Sequence, residues 1–245
     1  MTLEISAAAR VELAPGGKLR VGINHSNFLI VTPGSPFGAP KGIAPDIALE
    51  LGRRAGVPVE FVSFDAAGKL ADAVKGADVD VGFLGNEPQR ADVIAFSPAY
   101  VELPVTYLVP AGSPLRSIED VDRAGVRIAV SARSAYDLYL SRNLKHARLE
   151  RAEGIPASVA LFAAQQLEAL AGLKPGLMAE AQKLPGSRVL DGQVTSVQQS
   201  IGAPKQRQAA ARFLREFVED SKRSGLVART VEKHGVKGIV VAPPA

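Results

Sequence analysis

The 245-residue chain carries 29 Lys+Arg against 25 Asp+Glu, a formal net charge of +4, with 47% hydrophobic and 22% charged residues. That balance is globular rather than disordered, and basic residues interspersed with acidic ones give nucleic-acid binding little support. There is no Cys, which excludes disulfides, thiol catalysis and thiolate metal sites, and His25, His146 and His234 lie too far apart for metal-ligand spacing.

No stretch approaches the apolar length that spans a bilayer, so no membrane insertion is expected. Met1–Leu13 (MTLEISAAARVEL) has no basic start followed by an apolar run, so it does not read as a signal peptide. On that basis alone the chain is cytoplasmic, unless an export signal is missing from the sequence. Ile5–Leu13 fits a short helix stopped by Pro15-Gly16-Gly17. Leu19–Ile23 (LRVGI) is a strand, followed by a Gly/Pro-dense surface loop through Pro40. Pro45 suits the first turn of a helix whose Ile47, Ala48, Leu51 and Ala55 share one face and which Gly56 ends. A strand at Val59–Val62, a helix around Lys69–Lys75 and a strand at Val79–Leu84 follow. This alternation predicts an α/β fold with parallel pairing.

Val105–Val109 and Val197–Ile201 read as crossings between lobes. Between them lies a second α/β set. Its strands are expected at Val126–Val130, Arg148–Arg151, Glu168–Ala171 and Arg188–Leu190. Its helices are expected at Ala135 to about Asn143, Ala157–Gln166 and Pro175–Leu184. Gln208–Gly235 reads as amphipathic helix, with Phe213, Leu214, Phe217 and Val218 at helical spacing. The order predicts a discontinuous lobe I (18–108 plus 197–235) and a lobe II (109–196). Residues 1–17 form an N-terminal helix or extension, and 236–245 a tail. Two lobes joined by two strands make a hinge with a cleft.

Gly42–Val62, Val79–Val109 and Val126–Leu140 together resemble the family 3 extracellular solute-binding proteins, the amino-acid-type receptors of ABC importers. Order and spacing match from about Lys18 to Gly235; Pro88-Gln89-Arg90, then Phe96-Ser97-Pro98 and Tyr100, is the most specific part. The resemblance implies a two-lobed, Venus-flytrap type II periplasmic-binding-protein fold, each lobe a mainly parallel sheet flanked by helices. It also implies a periplasmic location, a monomer, no cofactor, and an ABC permease as partner.

Several residues carry the binding chemistry. With Pro88 at the first helical position and Glu87 as cap, Arg90 lies in the first turn, where a guanidinium can hold a carboxylate bidentately. The resemblance gives Arg90 the ligand carboxylate, and gives the strand end at Phe83 and Gly85 a backbone carbonyl and N–H toward the ligand. The bland alternatives are a surface Arg and a turn Gly. Ser134-Ala135-Tyr136-Asp137 is a capping-box-like arrangement, and capping alone accounts for Ser134. The resemblance adds the ligand carboxylate as a second partner of Ser134. Arg133 either adds a cation over an anionic ligand or points to solvent. After the first strand, the resemblance implies a polar contact, which Asn24 would supply, and an aromatic lid, which Phe28 would supply, with His25 a solvated loop residue and Phe64 as a second wall. For both Phe residues a core role is the alternative.

The departure is in lobe II. Family members carry an Asp that pairs with the ligand α-ammonium, and aligning Leu167-Glu168-Ala169 with the corresponding strand start puts Leu173 at that position, beside Lys174. Leu cannot pair with an ammonium, and burying that charge unpaired is costly. A shifted alignment recruits Glu180 instead, although the helix from Pro175 carries it away from the cleft. The ligand is therefore a small carboxylate, an amino acid or an acid without an α-amino group. A dehydratase of the cyclohexadienyl type on the same fold, with Glu180 as general acid, and a sensory binding module without transport are the competing functions. The lack of Trp and aromatics at 5% disfavour carbohydrate.

Overall fold

The computed structural model describes residues 4–244. Ser6 caps α1 (Ala7–Leu13), its hydroxyl accepting from the Ala9 N–H at 3.1 Å. Next come β1 (Leu19–Asn24), α2 (Ile43–Ala55), β2 (Val59–Phe64), α3 (Ala67–Lys75) and β3 (Val81–Gly85). Pro45 sits in the first turn of α2, where its missing N–H breaks no helical bond, and Gly56 closes the helix in the left-handed conformation at φ 67°. The buried Ile47, Ala48, Leu51 and Ala55 form the face that the spacing predicts. The chain continues through α4 (Pro88–Ala91), β4 (Ile94–Phe96), β5 (Val101–Val109), β6 (Arg127–Ser131), α5 (Ala135–Asn143), β7 (Arg148–Ala152) and α6 (Ile155–Ala164). It ends with β8 (Ala169–Leu173), α7 (Lys174–Lys183), β9 (Arg188–Val189), β10 (Thr195–Pro204), α8 (Gln208–Arg223), α9 (Leu226–His234) and β11 (Val240–Val241).

Two compact units result, one of residues up to Glu102 and from Gln198 onward, the other Leu103–Val197. The chain passes between them within β5 and within β10. In the first unit β1 pairs in parallel with β2 and β3, while β10 runs antiparallel to β3 and β4. In the second, β6 pairs in parallel with β7 and β8, and β5 runs antiparallel to β8 and β9. Each unit thus pairs its strands in both senses. Its parallel pairs come from helical crossovers, and its antiparallel pairs are made by the strands that carry the chain between units. Separate cores lie under each, built around Leu70, Val74, Val79, Leu84 and Ile94 in the first and Leu108, Phe162, Leu167, Leu170 and Leu177 in the second.

The single helix expected over Gln208–Gly235 is two helices. Gly225 adopts φ 74° between α8 and α9, a left-handed turn that stops the α-helical bond pattern. Two short strands escaped the sequence reading. β4 pairs with β10, and β11 in the C-terminal segment pairs with the start of β5 at Val101 and Glu102. The N-terminal helix is tied to α8, on which it packs. The Glu12 carboxylate accepts from the Ala210 N–H at 2.9 Å, an N-terminal amide of α8, and the Arg207 guanidinium donates to the Glu12 carbonyl at 2.9 Å. Arg207 also joins Arg20 around the fully buried Asp80, at 2.8 and 2.9 Å. Among the described residues, no helix is long and apolar enough to cross a membrane.

Candidate functional site

In the first unit the carboxyl ends of β1 and β3 present the predicted residues. Asn24 closes β1 and is buried; its Oδ1 accepts from the Ser26 N–H at 3.1 Å and the Ser26 hydroxyl at 2.9 Å, a side-chain-closed turn. Its amide NH2 is what remains to donate elsewhere. Phe28 is half-buried in the same loop. His25 ties this loop to its neighbours: Nε2 lies 3.1 Å from the Ser63 hydroxyl, and the ring meets Phe37 edge-on at 4.7 Å. Burial lowers its pKa. Phe64 packs against the Leu70–Val74 core cluster.

Phe83 is buried with its ring edge-on to Tyr100 at 5.8 Å, so only its backbone can face a ligand. Gly85 ends β3 opposite Gln199, itself a buried polar residue on β10. Pro88 opens α4 with Glu87 at the cap, and this places Arg90 in the single turn of that helix. Arg90 is only 6% exposed, and its Nη1 donates to the Gly85 carbonyl at 2.8 Å. A buried guanidinium held by a carbonyl is pre-positioned rather than swept by solvent, and a guanidinium is a planar fork of donors whose geometry suits a carboxylate. The Gly85 carbonyl, expected to face the ligand, is the acceptor that orients Arg90.

In the second unit Ser134 caps α5: its Oγ accepts from the Asp137 N–H at 3.1 Å. Asp137 does not complete the reciprocal box to the Ser134 amide. Its carboxylate instead accepts from the Arg133 N–H at 2.7 Å and from Arg151 Nε at 3.0 Å. Arg133 is exposed and adopts φ 56°, the left-handed region, which accounts for Gly being common at such a turn. Burial pushes the Tyr136 hydroxyl up to about 12, with hydrogen bonds to Ser134 and Ser131 acting the other way, so it is a neutral member of this turn.

Leu173 ends β8, opposite Val105, and is buried; it gives α7 no side-chain cap. Lys174 is the first residue of α7, with Nζ 3.3 Å from the Gly192 carbonyl. Glu180 lies further along α7 and accepts from Lys183 Nζ at 2.8 Å, an ordinary helical ion pair. The sequence reading missed Arg151. Its only signal is non-local: it stands opposite Val130 when β6 and β7 pair, which brings it to Asp137.

The description of the bacterial extracellular solute-binding proteins, family 3, matches residues 19–237. The chain belongs to this family. Among solved structures, this solute-binding protein is similar to a mutant of ArgBP from T. maritima, with TM-score 0.77 and 22% identity over 93% of this chain and 99% of that one. It is similar to the solute receptor for L-cysteine of Neisseria gonorrhoeae, with TM-score 0.76 and 19% identity over 95% and 96%. A third is an ancestral amino acid-binding protein described as a precursor of cyclohexadienyl dehydratase, with TM-score 0.75 and 21% identity over 92% and 98%. At these identities the likenesses show the fold, which is that of the type II periplasmic binding proteins. No curated protein matches the sequence.

Proposed function

We propose that the chain is the solute receptor of an ABC-type importer, that its ligand is a small carboxylate-bearing acid without an α-amino group, and that binding closes the two units about their strand crossings. The observation that carries the reading is Arg90, a buried guanidinium oriented by the Gly85 carbonyl at the first turn of α4. In the first unit Asn24, Phe28 and the backbone at Phe83 and Gly85 are the further candidate contacts, and in the second unit Ser134, at the head of α5, offers a hydroxyl. Leu173 and Lys174 at the head of α7 give an ammonium no counter-charge. This supports the amine-free acid over the amino acid. The ABC permease is the expected partner and the unliganded protein a monomer. No chemistry and no cofactor are required, since binding energy alone drives closure.

A thermal-shift screen tests this with two panels, α-amino acids and carboxylates lacking the amine. A ligand at a hundred times its Kd stabilises by about 2.7 kcal/mol. A shift confined to amine-free acids supports the reading, and a shift confined to amino acids shows that the second-unit alignment is wrong. The dehydratase reading is weaker because its only named general acid, Glu180, is engaged by Lys183. The ancestral neighbour nevertheless makes prephenate turnover worth one assay; turnover at an enzymatic rate would replace the receptor reading.

A further inference from the structure

At the carboxyl edge of the first unit a buried hydrogen-bond donor stands without a partner. β1 and β3 are adjacent parallel strands with Gly22 beside Gly82, so Asn24 at the end of β1 is level with Leu84, one residue short of Gly85. A strand spacing of about 4.8 Å and a rise of about 3.3 Å per residue put the Asn24 and Gly85 Cα atoms about 6 Å apart. Asn24 is 7% exposed. Its Oδ1 takes both Ser26 donors, its Nδ2 bonds nothing among the described residues, and that NH2 is not sealed from solvent. A donor so deep gains from an acceptor that a ligand brings. The acceptors of this edge already have donors. The Asn24 carbonyl receives the Asn27 N–H at 3.2 Å, the Phe64 carbonyl the His25 N–H at 2.8 Å, and the Gly85 carbonyl Arg90 Nη1 at 2.8 Å. His25 turns the other way: its Nε2 meets the hydroxyl of Ser63, the register partner of Ile23, so the ring shares the face of Ile23 and Asn24 takes the opposite one. An oxygen with lone pairs alone fits the Asn24 NH2. A hydroxyl or an ammonium brings a proton for which each of these carbonyls is already engaged.

We infer that the ligand is a 2-oxo acid, its carboxylate taken by Arg90 and its 2-oxo oxygen by the Asn24 NH2. The two groups sit on adjacent carbons, as suits donors carried at neighbouring strand ends. Both contacts lie in the first unit. The inference rests on the proposed receptor function and deepens it, because that function needs a carboxylate without an amine and nothing more at the second carbon. The oxo oxygen adds a bond to a donor that otherwise lacks one, worth about tenfold in Kd.

The test is titration calorimetry at pH 7 with propionate, pyruvate, L-lactate and L-alanine, and with the matching series built on 4-methylpentanoate. In at least one series the oxo acid is expected to bind about tenfold more tightly than the unsubstituted acid, and more tightly than the hydroxy acid. Asn24→Asp keeps an oxygen for both Ser26 donors and replaces the NH2 by an acceptor. In this variant the ratio of oxo to unsubstituted acid is expected to fall to one or below, and the hydroxy acid to overtake the oxo acid. A cooperative melt of the unliganded variant shows that it folds; if it does not fold, the wild-type ratio decides alone. An unsubstituted or hydroxy acid that binds wild type as well as its oxo counterpart overturns the 2-oxo inference and leaves the receptor reading standing. So does an unchanged ratio in the folded variant. A preference for the amino acids overturns both the inference and the amine-free reading. If no oxo acid binds, the inference fails, and binding of the unsubstituted acids then decides whether the receptor reading fails with it.

Discussion

Replacing Asp137 with Asn tests whether the Ala132–Ser134 turn is held in place by one buried carboxylate. The side chain is 3% exposed, and it accepts from the Arg133 N–H at 2.7 Å and from Arg151 Nε at 3.0 and 3.2 Å. Asn keeps one acceptor oxygen, loses the charge, and sets an NH2 group where a second donor already points. A charge-assisted hydrogen bond is worth about 1.5–3 kcal/mol. Arg151 is 45% exposed and regains water when released, which discounts that figure to about 1–2 kcal/mol. For a chain of this size the loss corresponds to a Tm lower by about 2–8 °C. The effect is also local. Arg133 sits at φ 56°, a conformation that costs about 1–2 kcal/mol for a residue with a Cβ and that the Asp137 bond helps to hold. Hydrogen exchange over residues 132–137 is therefore expected to quicken more than exchange over β8. An unchanged Tm together with unchanged protection of that segment would refute the reasoning. The Arg151→Gln variant, and the double variant with it, would then separate the ion pair from the amide bond.

Glu12→Ala removes the carboxylate that caps α8 from outside, at 2.9 Å from the Ala210 N–H, and is expected to cost about 1 kcal/mol in denaturant melts; no change would mean α1 adds packing only. Gly82→Ala puts a methyl group 2.5 Å from Val74 Cγ2 and 3.1 Å from Leu70 Cδ1, and overpacking of about 1–3 kcal/mol should show as a lower urea midpoint. In acid, two carboxyls lead the loss of stability. Hydrogen bonding and charge from Arg53 and Arg54, against the opposing effect of burial, bring Glu50 down to about 2. Burial by itself would raise Asp80, but the bonds from Arg20 and Arg207 outweigh it and hold it below its ordinary value. Both are depressed by folding, so their contribution is complete above the ordinary carboxylate range and is lost as pH falls below it, for Glu50 through about 2. Thermal melts from pH 7 to pH 2 should show this decline, and Asp80→Asn should flatten part of it; an equal slope in that variant would contradict the assignment.

Where local signals govern, the sequence is informative. Pro45 and Gly56 mark both ends of α2, Ser134 opens α5, and Pro88 with Glu87 sets Arg90 one turn into α4. The missing parts are non-local. β4 and β11 span three and two residues, too short for a period-2 pattern, and exist only because β10 and β5 pair with them. The break at Gly225 is invisible to a hydrophobic pattern that continues through it, since Val227 keeps the buried face of Phe217 and Val218. Within the candidate site, residue types and positions were legible, but their partners were not. That Asp137 turns to Arg133 and Arg151 instead of closing a capping box depends on β6 and β7 being neighbours, and that Arg90 leans on Gly85 depends on the turn between β3 and α4.

The central claim is that Arg90 holds the carboxylate of a small acid, and calorimetric titration of wild type and Arg90→Ala with the acid giving the largest thermal shift tests it most directly. The account predicts saturable one-to-one binding by wild type and an affinity lower by about 10- to 150-fold in the variant, the equivalent of about 1.5–3 kcal/mol. Equal affinity in a variant that melts like wild type would contradict it.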